Sequence, residues 1–227
     1  MLALKANLNS PGDNYLLVEG RDDWHVHYHL KVANFDIGYC EGDGPLIEML
    51  SAVVVGSGTT KKILGAVLDA DADTGVEARL QSIKNRLQSA YDLPDVFPAE
   101  GLILHPRQTP PSRNRLPTIG IWLMPDNIKD GIFEDLLRKA MTPEEDQYIG
   151  HVVDQAKIDN IATFKDTAQS TERSKVIVRT YIIWQDPDKK NLGIALKPHF
   201  VNLDAACKGF FDWQCRLFQD VSGETEK

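Results

Sequence analysis

The sequence predicts an α/β fold: a mainly parallel central sheet flanked by helices, with a helical C-terminal part. Three observations carry this reading. Short, continuously apolar runs recur at Tyr15-Leu-Leu-Val18, Ile63-Leu-Gly-Ala-Val-Leu68 and Thr118-Ile-Gly-Ile-Trp-Leu-Met124, as suits strands buried on both faces. Segments with apolar residues at helical spacing separate the first strands, giving the strand-helix rhythm of parallel sheets. Beyond residue 130 the pattern is mostly helical.

Taken in order, residues 1–14 read as an extended segment closed by the turn Ser10-Pro-Gly-Asp-Asn14. The first strand covers about 15–19. A helix follows from about Asp22 to Val32, its start favoured by acids at the positive end of the helix dipole. A second strand at 34–40 leads through Glu41-Gly-Asp-Gly-Pro45 into a helix from about Leu46 to Val55, and 56–62 form a polar loop. The third strand, 63–68, runs into Asp69-Ala-Asp-Ala-Asp73. The next helix, from Thr74 or Gly75 to about Tyr91, places Val76, Leu80, Ile83 and Leu87 on one face. Residues 92–118 are irregular and proline-rich, with a short strand at 102–104. After the strand at 118–124, helices are expected at about 130–141, 143–157, 172–185 and 204–219. Residues 1–227 read as one domain, with a core over 13–127 and a helical part over 128–227 packed on it.

Apolar residues make up 42% of the 227, enough for a core of ordinary size. No apolar run approaches the ~18–20 residues of a membrane span, and Met1-Leu-Ala-Leu-Lys-Ala-Asn7 is unlike a secretory signal. The expectation is a soluble cytoplasmic protein with no membrane partner. Cys40, Cys207 and Cys215 have no metal-site or disulfide spacing and read as buried thiols. The formal net charge of -8 argues against a broad basic nucleic-acid surface. Clustered carboxylates that take up divalent cations would offset part of it locally.

The chemistry concentrates at two strand ends. Glu19 closes the first strand, and Asp23 lies one helical turn further on; Asp69 and Asp71 follow the third. Ligands of parallel sheets bind beyond these carboxyl ends. Neighbouring strands lie about 4.8 Å apart, so the acids can meet. Crowded carboxylates repel unless protons or cations intervene, and Mg²⁺ or Mn²⁺ suits few carboxylates, water and a phosphate. Competing readings fail on named residues. A calcium loop begun at Asp69 would need glycine and glutamate where Thr74 and Leu80 stand. The Asp-x-Asp-x-Thr of haloacid-dehalogenase-type phosphatases meets Asp73 or Gly75 instead of threonine. Gly56-Ser-Gly-Thr-Thr-Lys-Lys62 has the wrong spacing for a phosphate loop, and a strand follows it.

Val18-Glu19-Gly20 with Asp22-Asp23, and then Leu68-Asp69-Ala70-Asp71, resembles the Toprim domain. That domain is shared by type IA and II topoisomerases, bacterial primases, RecR-type recombination proteins and OLD nucleases. Its signature is a glutamate after the first strand and Asp-x-Asp after the third. The four-residue step from Glu19 to Asp23 is most similar to the OLD-type nucleases. The chain also resembles short, stand-alone bacterial Toprim-like proteins. That likeness rests on Gly120-Ile-Trp-Leu-Met-Pro-Asp126, Gly131-Ile-Phe-Glu-Asp135 and Lys175-Val-Ile-Val-Arg-Thr-Tyr-Ile-Ile-Trp-Gln185. The resemblance implies metal ligands at Glu19, Asp23, Asp69 and Asp71, with Asp126 and Glu134 at a second Mg²⁺ or Mn²⁺. It implies Glu19 as ligand or general acid/base, and Lys175 as the catalytic cation facing phosphate. Asp73 is then a supporting ligand or a helix cap.

The implied function is metal-dependent phosphodiester hydrolysis on nucleic acid, DNA rather than RNA, by an OLD-like nuclease. Implied partners are an ATPase on another chain and a second copy in a homo-oligomer. The alternatives are a non-catalytic Toprim-type module that binds nucleic acid or protein, and a small-molecule phosphohydrolase. Arg107, Arg113 and Arg115, set among prolines, either grip a phosphate backbone or form a solvated loop. His25, His27 and His29 lack the further ligands of a zinc site and read as helix surface or half-buried. Trp122 and Trp184 read as core.

Overall fold

Side chains of a strand alternate between faces, so each apolar run here must feed two cores. The structure, a computed structural model, describes residues 4–55, 59–71, 75–107, 116–165, 171–188 and 192–218. Strands β1 (Asn14–Val18), β2 (Asp36–Tyr39), β3 (Ile63–Asp69), β4 (Leu102–Leu104) and β5 (Thr118–Met124) form one sheet in the order β2-β1-β3-β5-β4. The pairs β1–β2, β1–β3 and β3–β5 are parallel, and β4 closes one edge antiparallel to β5. The helices described are α1 (Arg21–His29), α2 (Asp43–Val55), α3 (Gly75–Leu87), α4 (Phe133–Ala140), α5 (Pro143–Ile158), α6 (Glu172–Gln185), α7 (Leu192–His199), α8 (Leu203–Ala206) and α9 (Lys208–Phe218). The chain is therefore α/β with a mostly parallel five-stranded sheet.

One face of the sheet presents Leu16, Val18, Ile63, Val67, Trp122 and Met124. It shares a core with α1 and the C-terminal helices, through residues such as Trp24, Leu137, Ile177, Leu196 and Trp213. The other face presents Leu17, Leu64, Ala66, Leu68, Ile121 and Leu123, and α2 and α3 cover it with Leu46, Leu50, Ile83 and Leu87. Helices α4 to α9 thus pack on the first face, and α2 and α3 on the second.

Two paired glycines shape the first face. Gly65 lies opposite Gly120 in the β3–β5 register, and α9 settles onto the dent they leave. A Cβ on Gly120 would stand 2.2 Å from Leu217 Cδ2, and one on Gly65 would stand 2.9 Å from Phe218 Cζ. In the sequence these glycines read only as small members of apolar runs. Their role is close approach of a helix to a central strand.

Several expectations need correction. Helix α1 stops at His29, where the Leu30 amide closes on Val26 O, and does not reach Val32. Helix α3 ends at Leu87, and Tyr91 turns inward to donate its hydroxyl to Pro117 O at 2.8 Å. The last expected helix is two, broken at Cys207. Helix α7 falls between the helices expected at about 172–185 and 204–219, where no element was expected. Gly193 is there for contact: a Cβ would lie 2.5 Å from the His25 carbonyl oxygen on α1. Trp184 is 51% exposed and not core, whereas Trp122 is buried. Cys40 and Cys207 are buried and Cys215 partly so. Lys61, expected in a polar loop, is buried; its ammonium donates to the Gly12 carbonyl at 2.8 Å and to Ser10 Oγ at 3.1 Å, pinning the turn before β1.

Replacing Gly120 with alanine tests the α9 seat. Overpacking a core typically costs about 1–3 kcal/mol, and a chain of this size loses about 2–4 °C of Tm per kcal/mol. Thermal unfolding of Gly120→Ala should show a Tm lower by several degrees. An unchanged Tm would mean that α9 does not rest on the sheet as described.

Candidate active site

The strand order creates one special place. The chain goes from β1 outward to β2, then returns to β3 on the other side of β1. Helix α1 lies on one face and α2 and α3 on the other, so the connections diverge between the ends of β1 and β3. Open α/β sheets bind ligands at such a switch point. Glu19 follows the last residue of β1, and Asp69 is the last residue of β3.

Backbone amides hold these acids. Glu19 Oε1 accepts from the Asp69 N–H at 2.8 Å. Asp69 Oδ1 accepts from the Phe133 N–H at 3.2 Å, at the first residue of α4. Asp23 Oδ2 accepts from the Gly20 N–H at 2.8 Å, across the first turn of α1. Glu134 sits in the first turn of α4 and Lys175 on α6. Three elements from distant parts of the chain therefore face the strand ends.

The electrostatics show that the acids share one environment. Burial pushes the Glu19 carboxyl up to about 7; the Asp69 amide and the Arg79 charge oppose this, and Asp23 and Asp43 add to it. Asp69 is raised well above the ordinary carboxylate range by burial, then by the charges of Glu19, Asp23 and Glu134. Burial also raises Asp23 and Glu134. The Lys175 ammonium offsets part of the rise at Asp23, Asp69 and Glu134 alike. Glu19, Asp23, Asp69, Glu134 and Lys175 thus share one electrostatic environment.

Asp71 and Asp126 are placed differently. Asp71 is partly buried beyond β3, and its carbonyl accepts from the Gly75 N–H at 2.7 Å. Asp126 Oδ1 accepts from the Ile128 and Lys129 amides, and its Oδ2 pairs with Lys139 Nζ at 2.7 Å, which holds its pKa low despite burial. The buried position of that turn belongs to Asn127, which accepts from the Leu123 N–H at 2.7 Å and donates to Ala99 O at 3.1 Å. Asp126 is therefore engaged by its own turn and by Lys139. Asp73, Arg113 and Arg115 lie outside the described residues. Arg107 pairs with Asp92 at 2.6 Å. His25 and His29 are half-buried, and His27 is buried between Phe133 and Phe210, where desolvation lowers its pKa to about 3. Among the described residues, no three His, Cys, Asp or Glu side chains are set to hold a metal ion.

Sequence reasoning missed two supports. Arg79 is buried on α3; its Nε donates to Asp69 O at 2.9 Å, and its Nη1 pairs with Asp43. Arg79 stands beside Leu80 and one turn before Ile83, so its place on the buried face was readable from helical spacing. The second support links α4 to α6. Ser174 Oγ donates to Asp135 Oδ1 at 2.5 Å, and Arg138 Nη1 donates to Ser174 Oγ at 3.2 Å. Asp135 and Ser174 are the sequence neighbours of Glu134 and Lys175, so this contact fixes how those two meet.

The raised carboxyls have a consequence for stability. Their folded pKa values exceed those of the unfolded chain, so above about pH 4.5 the folded state holds more protons. Stability is fully present below that pH and is lost as pH rises through the Glu19 value of about 7. Tm should therefore fall between about pH 5 and 8, and Glu19→Gln should flatten the fall and raise Tm at pH 8 by several degrees. A Tm profile identical in wild type and variant would show that Glu19 is not buried as described.

Among the described residues no helix is long and apolar enough to cross a membrane. No curated protein and no solved structure matches the sequence. One protein family does, over residues 13–219, a span that takes in the strand-end acids, the α4 and α6 residues that face them, and α9. The chain belongs to the family described as Protein of unknown function (DUF3226).

Proposed function

We propose that the chain is a metal-dependent phosphodiester hydrolase acting on nucleic acid, on a Toprim-type core. One observation carries the proposal: four carboxylates with raised pKa values gather at the β1/β3 switch point with Lys175 among them. Such a group is costly without a positive partner. The acids fit Mg²⁺ or Mn²⁺ by charge and donor type, not as a ready-made cage. Mg²⁺ usually keeps several waters and binds through one or two carboxylates plus substrate phosphates, so Glu19 and Asp69 suffice as protein ligands. In this reading Asp23 and Glu134 would orient water around them, and Asp71 would be a further ligand.

When bound, the ion polarises a phosphoryl oxygen and makes bound water a better nucleophile. The chain's own groups supply the rest. A carboxyl that titrates near 7 is poised to take a proton from the attacking water and return it to the leaving oxygen; Glu19 serves in this way or as ligand. Lys175 offsets the negative charge that grows on the phosphoryl oxygens. The Arg79 contact with Asp69 O and the Ser174–Asp135 contact hold these groups in register. DNA as substrate, an ATPase partner chain and a homo-oligomer belong to the same proposal, on the resemblance to OLD-type nucleases.

End-labelled DNA, single-stranded and duplex, incubated with Mg²⁺ or Mn²⁺ gives the test. Wild type should cleave at least one form, and Glu19→Gln and Asp69→Asn should each lower the rate about 100-fold or more. Equal cleavage by wild type and both variants, or none by wild type with either ion, would overturn the proposal. A second reading, a small-molecule phosphohydrolase, is favoured by a cavity of about 420 Å³ beside the acids. Phosphate release from small phosphate esters, lost in the same variants while DNA stays intact, would select it.

A further inference from the structure

That cavity opens directly off the acid group. Asp23 and Glu134 belong to both. Its rim carries Asp22 and Arg179, whose charges stand 3.8 Å apart and are mostly exposed. Its walls are largely apolar: Phe133 from α4, Val178, Ile182 and, toward solvent, Ile183 from α6, and Leu192 from α7. At about 420 Å³ it falls in the ~300–1,000 Å³ range that encloses a small organic group.

We propose that this cleft is a subsite for one unpaired nucleobase, which positions the adjoining phosphate over Glu19 and Asp69. The inference rests on the phosphodiester reading above and adds the class of substrate. An occupant that fits has an apolar part for the α6 and α7 walls and an anionic part for Arg179 at the rim and for Lys175 among the neighbouring acids. An unstacked nucleotide has both. The interior of a duplex does not, because its bases are stacked inward and its outer surface is charged phosphate. Enzymes that take a base out of the stack hold it between apolar side chains and read its edge with hydrogen bonds. Here the carboxyl oxygens of Asp22 on the rim accept from amino groups or sugar hydroxyls, and Arg179 reaches a phosphate oxygen.

The probe is a fluorescein-labelled single-stranded oligonucleotide, with Ca²⁺ in place of Mg²⁺, read by fluorescence anisotropy. Wild type should bind it at least tenfold more tightly than its duplex, and one abasic site at the bound position should remove most of that advantage. Ile183 is 56% exposed, so Ile183→Trp can fill the cleft without entering the core. The variant should bind the base-bearing strand about tenfold more weakly and the abasic strand unchanged, with its Tm retained. Ile183→Ala serves as a second variant and should weaken base-dependent binding less. Equal affinity for duplex and single strand, no effect of the abasic site, or no binding at all would overturn the inference. Glu19→Gln separates the two readings: base-dependent binding without cleavage in wild type and variant alike sinks the nuclease and leaves the subsite standing. Competition by nucleoside monophosphates at similar affinity assigns the base to a free nucleotide, and its absence assigns it to a strand.

Discussion

The contact between Glu19 Oε1 and the Asp69 amide ties together the ends of two neighbouring strands that leave the sheet in opposite directions. It sits where the layers of the protein diverge, and the site is built outward from it. Because β1 and β3 are parallel neighbours, both acids emerge on the same edge. Because α1 and α4 start at that edge, their first turns bring Asp23 and Glu134 alongside. The same proximity that makes these residues a group makes them repel, so the fold carries a local electrostatic penalty that Arg79 and Lys175 offset only in part. A structure that keeps buried like charges together is under a constraint that a cation or an anion-with-cation ligand relieves.

Helix α6 connects this charged centre to the cleft. Lys175 faces the acids near its start, and Val178, Ile182 and Ile183 line the cleft along the following turns. The helix is held by Ser174 to Asp135 of α4 and by Arg173 to Asp154 of α5, at 2.7 Å. Under the proposed function, the phosphate-facing and base-facing surfaces would sit on this one helix, which suits a site that must place a bond to within a fraction of an ångström.

Much of this was legible in the sequence. The buried strands announced themselves as continuous apolar runs, and the acids that close β1 and β3 were conspicuous because they end such runs. What stayed hidden depended on tertiary context. Strand order cannot be read from an apolar run, yet it decides that Glu19 and Asp69 are neighbours. No element was expected around Gly193, and its close approach to α1 exists only in the folded chain. Asp126 entered as a second-metal ligand only through the resemblance; the turn gives the buried place to Asn127 and pairs Asp126 with Lys139. Trp184 had the spacing of an apolar helix residue but lies half exposed beside Tyr148 on α5.

The central claim is that the switch-point acids form a divalent-cation site. Calorimetric titration of wild-type protein with Mn²⁺, without substrate, tests it most directly. Saturable binding should appear in wild type and weaken at least tenfold in both Glu19→Gln and Asp69→Asn, while Asp126→Asn, altered at an acid already paired with Lys139, should bind as wild type does. No saturable binding in wild type, or equal binding after loss of Glu19 and Asp69, would contradict the claim.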